Sequence, residues 1–364
     1  MNFSAEFRNE KIVSNLLSEI NRITRKNIRL MEVCGGHTMA IRRYGIHTLL
    51  PPEIELLSGP GCPVCVTDQQ YIDKAIAYAQ LPDNILLTYG DMLRVPGTST
   101  SLDHIKASGA DVRIIYSTIQ ALEIARKNPS KKVIFAAIGF ETTVPGTAIA
   151  LKQAKLENLS NFFVLCAHKT MPEAMAALIQ EGIPIDGYIG PGHVSAIAGS
   201  KIFNSLSETY NIPVVISGFE PVDLVQSIYM LVKMIMENRG GVEIQYKRLV
   251  TEPGNLKAQR IVNETFEVDT QHWRGIGPIP NSGLKIRKEY EMFDVEKQWP
   301  ITVEKSNEPK GCICGKILKG LKKPTDCKLF GKTCNPSHPV GACMVSSEGS
   351  CQAYYNYQSV GSEL

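Results

Sequence analysis

The chain carries almost no net charge. Across 364 residues, 39 basic side chains oppose 36 acidic ones, for a formal +3. A surface so balanced gives no reason to expect nucleic-acid or membrane-surface binding. No apolar run approaches the roughly 18 residues that a bilayer-spanning helix needs. The N-terminus, MNFSAEFRNEKIVSNLLSEI, lacks an apolar stretch followed by a small-residue cleavage site, so no secretory signal is expected. Cysteine is scarce over the first 311 residues, where only four occur. These absences predict a cytoplasmic protein. In that compartment structural disulfides are rare, and grouped cysteines usually mean metal or redox chemistry.

Six cysteines do stand together, in the last sixth of the chain: Cys312, Cys314, Cys327, Cys334, Cys343 and Cys351. Structural zinc sites favour paired CxxC half-sites, and this tail has one CxC and no CxxC. Iron–sulfur clusters accept four thiolates at irregular spacings. Prolines and glycines supply the turns to wrap such a cluster. Lys316, Lys319, Lys322, Lys323, Lys328 and Lys332 would offset its negative charge. Four ligands from six cysteines leave two over, and one of Cys312 and Cys314 is expected to face away from the cluster. The expected [4Fe–4S] ligands are therefore Cys312, Cys327, Cys334 and Cys351. Cys314 and Cys343 are left as a redox pair beside the cluster. A disulfide knot is the alternative, and it conflicts with a cytoplasmic chain.

From about residue 53 to 239, short β-branched runs alternate with helical patterns, which indicates parallel α/β architecture. The expected strands are Ile28–Val33, Ile54–Leu57, Ile85–Thr88, Val112–Tyr116, Val133–Ile138, Phe162–Cys166, Asp186–Ile189, Val214–Ser217 and Val242–Val250. Nearly every strand runs into a glycine-containing or functional tetrad, and open parallel sheets bind ligands beyond the carboxyl ends of their strands. The tripeptides GPG and GFE each occur twice, in the order GPG, GFE, GPG, GFE. That echo suggests two similar α/β domains facing a cleft: residues 1–125, and residues 126–240 with a crossing back near 213–240. Residues 241–364 are expected to form a small cysteine-rich iron–sulfur domain, held by its metal because its apolar content is too low for a core.

Two sites stand out in the first domain. In MEVCGGHT, Cys34 ends a strand, two glycines follow, and His37 lies three residues on. A helix starting there would favour a thiolate through its dipole. Thiolate and imidazole together suit iron or a nucleophilic cysteine; a buried cysteine beside a capping histidine is the plain alternative. In SGPGCPVCVTD, Cys62 and Cys65 form a CxxC between strand and helix, the placement of a redox dithiol. Half of a zinc site is the alternative. Glu141 and Glu220 hold matching places in the two GFE tetrads. Each is suited to proton handling or, equally, to capping a helix. His168 and His193 are strand-end histidines that suit either a cleft or a structural role. Asp91 and Arg94 suit either a site or an ion pair. Cys166 is expected in the core.

Taken in order, MEVCGGHT, SGPGCPVCVT, GFETT, GPGHVS, GFEP and the tail run GACMVSSEGSCQAYY resemble one family, HypD, from about Ile28 to Tyr355. The resemblance implies an assembly scaffold for the Fe(CN)2CO unit of nickel–iron hydrogenases rather than a turnover enzyme. Cys34 would hold the iron together with a cysteine of a HypC-type small chaperone, with His37 as a ligand or supporting group. Cys62 and Cys65 would be the redox dithiol beside it. Cyanide would come from a HypE-type donor. A [4Fe–4S] cluster would sit in the C-terminal domain, and the chain alone is expected to be a monomer. A cluster-dependent thiol–disulfide reductase acting on a protein partner is the competing function.

Overall fold

The computed structural model describes residues 6–304, 306 and 308–357. Eleven strands follow one another: β1 (Ile28–Glu32), β2 (Ile54–Ser58), β3 (Asn84–Thr88), β4 (Val112–Ile114), β5 (Lys132–Gly139), β6 (Phe162–His168), β7 (Gly187–Pro191), β8 (Val214–Ser217), β9 (Val242–Ile244), β10 (Phe266–Trp273) and β11 (Gly277–Ile286). Two wholly parallel sheets carry the fold. One has the order β2-β1-β7-β8-β9 and the other β4-β3-β5-β6. Helices cover both faces, which explains why β5 (KVIFAAIG) is apolar almost throughout. Among the described residues no helix is long and apolar enough to cross a membrane.

Local sequence accounts for the helix ends. Asn9 Oδ1 accepts the Ile12 N–H at 3.2 Å and starts the helix Glu10–Ile23. Ser117 and Gln120 form a capping box on Thr118–Lys127. Pro221 opens Pro221–Met236 at a position where no backbone donor is needed.

The sheet order corrects three expectations. The break placed at residue 125 falls inside one sheet, because β4 and β5 flank the same strand, β3. The second sheet is instead an excursion between β2 and β7. The chain returns when β7 pairs with β1, Leu30 facing Gly187. The GPG/GFE echo does not mark two halves either. Both GPG turns and the second GFE turn end strands of the five-stranded sheet, and only Gly139–Glu141 ends a strand of the other. Finally, residues 241–364 are not one domain. Strand β9 extends the five-stranded sheet, while β10 and β11 form an antiparallel hairpin that packs on β6 and the helix Met171–Gln180. Only the cysteine-rich stretch from Gly311 stands apart in sequence. Its short helices are packed down: Ser350–Asn356 on Gly35–Arg43, and Ala342–Val345 on Pro63–Val66. Apolar burial supplements whatever covalent or metal bonds it makes, because Ile317, Leu318, Cys343, Met344 and Val345 share one core with Val64 and Cys65.

Candidate metal and thiol centre

Strand order puts the first cysteine at a natural binding point. The chain leaves β1 toward β2 on one side, and β7, β8 and β9 lie on the other, so the sheet reverses direction between β1 and β7. Loops leave such a switch point in opposite directions and open a crevice. Cys34 sits there as N-cap of the helix Gly35–Arg43, with φ −148° and ψ 122°. Gly61 packs against its backbone so closely that a Cβ at Gly61 would lie 2.2 Å from the Cys34 nitrogen. The CGGH and CPVC loops therefore touch. Glycine at 35 is demanded similarly, since a Cβ there would meet the Glu348 carbonyl at 2.2 Å.

The thiol of Cys34 is not a ready thiolate. The Gly36 and His37 N–H groups at the helix start lower its pKa as the helix dipole should, but burial outweighs them and Glu348 adds to the rise, to about 12. This corrects the expectation of a dipole-favoured thiolate; a cation bound at the sulfur would supply what the dipole does not. His37 is fully buried, and burial pushes its pKa down to about 4. Its Nε2–H donates to the Ser217 carbonyl at 3.3 Å, which leaves Nδ1 with a free lone pair and no partner. The ring stacks on Phe219 at 4.6 Å, and His193 stacks on the opposite face of Phe219 at 4.0 Å.

Beneath Cys34, Glu32 is 2% exposed. Its Oε1 accepts from Thr38 Oγ1 at 2.6 Å, and Oε2 has no partner. Burial raises the carboxyl from 4.5 to about 8. The folded chain thus keeps a proton that the unfolded chain gives up between those values. Stability of the metal-free protein should fall as pH rises through that window, by up to about 1.4 kcal/mol per unit. Glu32→Gln should remove this slope. Urea unfolding at pH 5.5 and 8.5 should show the variant gaining on the parent only at the higher pH, and parallel behaviour would contradict the assignment.

The CPVC segment has the expected placement. Cys62 is N-cap of the helix Pro63–Val66, and its sulfur accepts the Cys65 N–H at 3.3 Å. Cys65 is wholly buried, and its pKa is raised well above the usual range by burial and by its thiol neighbours Cys343 and Cys62. Cys343, from the tail, receives hydrogen bonds from Cys314 and Cys65, which hold its pKa down at about 6. The Cys314 sulfur also meets Cys351, and accepts from Cys312 at 3.2 Å. Cys62, Cys65, Cys343 and Cys314 thus form a file of thiols that act on one another's titration where Ala342–Val345 packs on Pro63–Val66, joining the CxxC loop to the tail.

Five tail cysteines, 312, 314, 327, 334 and 351, line one recess, with Ile313, Ile317, Leu329, Phe330, Gly341 and Met344 between them. Cys343 does not line it, but Cys312 and Cys314 both do, so the expectation that one cysteine of the CxC faces away is corrected: residues two apart in an extended stretch share a face. A Cβ at Gly341 would stand 2.7 Å from both the Cys312 and Cys314 sulfurs, so the recess needs glycine there. Soft sulfur donors in an apolar cradle fit an iron–sulfur cluster. Among the described residues no three His, Cys, Asp or Glu side chains already converge on a single ion.

The two GFE glutamates part company. Glu141 caps a neighbouring helix, its Oε1 accepting the Met171 N–H at 2.9 Å. Its Oε2 is sealed without a partner, and burial raises the carboxyl to about 7. It lines a cavity of about 280 Å3 with Thr170, Ile197 and Asn281, and no cysteine lines that cavity. Glu220 is the N-cap residue of Pro221–Met236 and is tied to Arg8 Nε at 2.5 Å. Glu141 thus does the capping work that was one of the two expectations, whereas the Glu220 carboxylate goes to Arg8 and its own N–H donates to Asp223 at 3.2 Å; sequence equivalence did not bring the two to one place. His168 is a core residue, bonded to Thr147 Oγ1 at 2.9 Å. Cys166 is half-buried, its thiol donating to the Leu284 carbonyl at 3.4 Å. Arg94 pairs with no acid among the described residues; it donates to the Pro336 carbonyl at 3.1 Å. Glu32 and Glu348 were missed. For Glu32 the signal was an acid inside an apolar strand. Glu348 is an exposed residue, yet the packing around its carboxyl and the nearby Asp91 raise its pKa, and only the fold brings it to Cys34.

Comparison with known proteins shows the family. The HypD family model, described as the hydrogenase formation hypA family, matches residues 11–358. Hydrogenase maturation factor HypD2 of Bradyrhizobium diazoefficiens is 46% identical over 368 residues, covering 98% of this chain and 97% of that protein. Hydrogenase maturation factor HypD of Azotobacter vinelandii is 46% identical over 367 residues, covering 98% and 97%. A putative hydrogenase expression/formation protein of Methanocaldococcus jannaschii is 44% identical over 353 residues, covering 96% and 98%. With matches of this extent, the chain belongs to the HypD family of hydrogenase maturation factors.

Proposed function

We propose that this chain is the scaffold on which the Fe(CN)2CO unit of a nickel–iron hydrogenase is assembled. Cys34 holds the iron together with a thiolate from a HypC-type chaperone, and a HypE-type donor delivers cyanide. The observation that carries this reading is the sulfur file from the tail recess to Cys62 and Cys65, whose loop abuts Cys34. A centre that only bound iron would need no such file. His37 Nδ1 and Glu32 Oε2 add an unpartnered acceptor and a proton-bearing carboxyl beside Cys34.

Cys312, Cys327, Cys334 and Cys351 would hold a [4Fe–4S] cluster; Cys343 does not line the recess, and Cys314, which does, is read as the partner of Cys343. When bound, such a cluster supplies electrons one at a time to the adjacent Cys314/Cys343 pair. The thiols themselves then exchange in pairs. The Cys343 thiolate attacks the Cys65 sulfur of a Cys62–Cys65 disulfide, forming a Cys343–Cys65 bond and releasing Cys62 as thiolate. Cys314 attacks Cys343 and releases Cys65. The net result is a reduced Cys62/Cys65 dithiol and a Cys314–Cys343 disulfide, with two electrons passed. The depressed pKa of Cys343 suits it as the attacking thiolate.

Anaerobic co-purification with the HypC-type partner should give a stoichiometric complex with infrared bands of metal-bound CN and CO. A protein that instead turns over a partner's disulfide, with no such bands, is a thiol–disulfide reductase and overturns the scaffold reading. Single Cys→Ser changes at 312, 327, 334 and 351 should each lower iron content and alter the cluster's EPR, whereas Cys343→Ser should retain the cluster. An intact cluster after Cys312→Ser would overturn the ligand assignment.

A further inference from the structure

The turn of the β10–β11 hairpin touches the backbone beside both thiol pairs. On one side the Arg274 N–H donates to the Val66 carbonyl at 2.9 Å, and Arg274 Nε donates to the Thr67 carbonyl at 2.8 Å. Nη1 donates to Gln69 Oε1 at 2.8 Å, and Thr67 bridges to Trp273. On the other side Gly275, at φ +71°, lies flat against Gly315: a Cβ on Gly275 would come within 2.2 Å of the Gly315 Cα. Val66 follows Cys65 and Gly315 follows Cys314. Two successive residues of one turn thus index a cysteine of each pair.

The turn is itself rigidly based. Trp273 is wholly buried, donates from Nε1 to Ser282 Oγ at 2.8 Å and stacks on Phe140 at 5.8 Å. Lys169 Nζ donates to the His272 carbonyl at 2.8 Å. Arg274 is 3% exposed, pairs with no carboxylate among the described residues and leaves Nη2 without a partner. Burying a guanidinium this way is costly. A forked, planar donor set reaching two acceptors at fixed angles is what the arginine provides in return.

We infer that the hairpin tip sets the spacing between Cys62/Cys65 and Cys314/Cys343, with Arg274 as a positioning residue for exchange between them. This rests on reading those four thiols as a relay. Exchange needs the attacking sulfur in line with the disulfide, and small displacements of reacting groups cost up to about a hundredfold in rate.

The test uses the full chain, anaerobic and cluster-loaded. The reduced protein receives one equivalent of an aromatic disulfide oxidant. It is quenched with iodoacetamide at set times, and peptide mapping shows which pair holds the disulfide. Arg274→Gln should slow migration between the pairs about ten- to a hundredfold, with iron content, near-UV circular dichroism and the reaction of either pair with the oxidant unchanged. Arg274→Lys, which keeps a donor for the Thr67 carbonyl, should recover part of the rate. Gly315→Ala, which forces the contact with Gly275 apart, should slow migration as well. Migration at the parent's rate in both Arg274→Gln and Gly315→Ala would overturn the positioning role. If the disulfide never migrates in the parent protein, the relay reading fails, and this inference with it.

Discussion

Cys65→Ala should reduce maturation of the cognate hydrogenase to background while leaving the visible absorption of the C-terminal cluster unchanged. Cys65 is the only sulfur in the file that meets both Cys62 and Cys343, and it is wholly buried, so no solvent thiol can replace it. The substitution removes a single heavy atom from a packed position, far less than a Leu→Ala truncation removes, so the fold should persist. The measurement is hydrogenase activity in a complemented deletion strain, set beside the absorption spectrum of the anaerobically purified variant. Cys166→Ala is the control, since the Cys166 thiol donates to the Leu284 carbonyl and packs against a core cluster that holds none of the other cysteines, and it should mature hydrogenase normally. Maturation that survives Cys65→Ala would end the relay reading.

The second large effect is on stability. Asp223 is completely buried, and its carboxylate receives Arg248 through both oxygens at 2.7 and 2.5 Å, Gln245 Nε2 at 2.9 Å and the Glu220 N–H at 3.2 Å. Arg248 in turn lies over Phe7 at 3.9 Å and Tyr246 at 4.4 Å, and Tyr246 meets Phe219 edge-on at 6.0 Å. Asp223→Ala should cost about 3 kcal/mol, the lower end for breaking a buried pair, because Arg248 is itself 36% exposed. It should also loosen the ring stack beside Cys34. Burial alone would raise the Asp223 pKa, but Arg248, Gln245 and the Glu220 N–H outweigh it and hold the value below 3.8. The pair's contribution is therefore complete above the unfolded pKa and is lost as pH falls through the folded one. Denaturant midpoints should show a constant gap between parent and variant from pH 5 to 8, closing below pH 4. A gap that stays open in acid would contradict the linkage.

Much of the local structure was legible. The strands at Ile54, Val133 and Val214 begin within a residue of where β-branched runs place them. Cys62 caps a helix that Pro63 opens, as a CxxC between strand and helix should. The hairpin at Phe266–Ile286 was missed. Its alternation, FEVDTQHW, was present, but prolines and glycines in the second strand hid it. The strand expected to run to Val250 stops at Ile244, because the backbone turns back through Gln245 and Tyr246 to bond the Ile216 carbonyl.

The sequence by itself determined which atoms are available: soft sulfurs, their spacing, the glycines that let backbones meet, and the strand ends that carry them. Those are consequences of local chemistry, and no packing partner was needed to read them. Tertiary structure alone decided which atoms meet. β1 finds β7 across more than a hundred intervening residues, and that pairing places Cys34 at the switch point. The tail folds back so that Cys343 reaches Cys65 and Glu348 reaches Cys34. Arg274 and Gly275, in a stretch with no evident motif, touch the backbone beside each thiol pair. Such contacts are set by how buried faces fill space, and residues distant in the chain carry no local mark of the neighbours they will have.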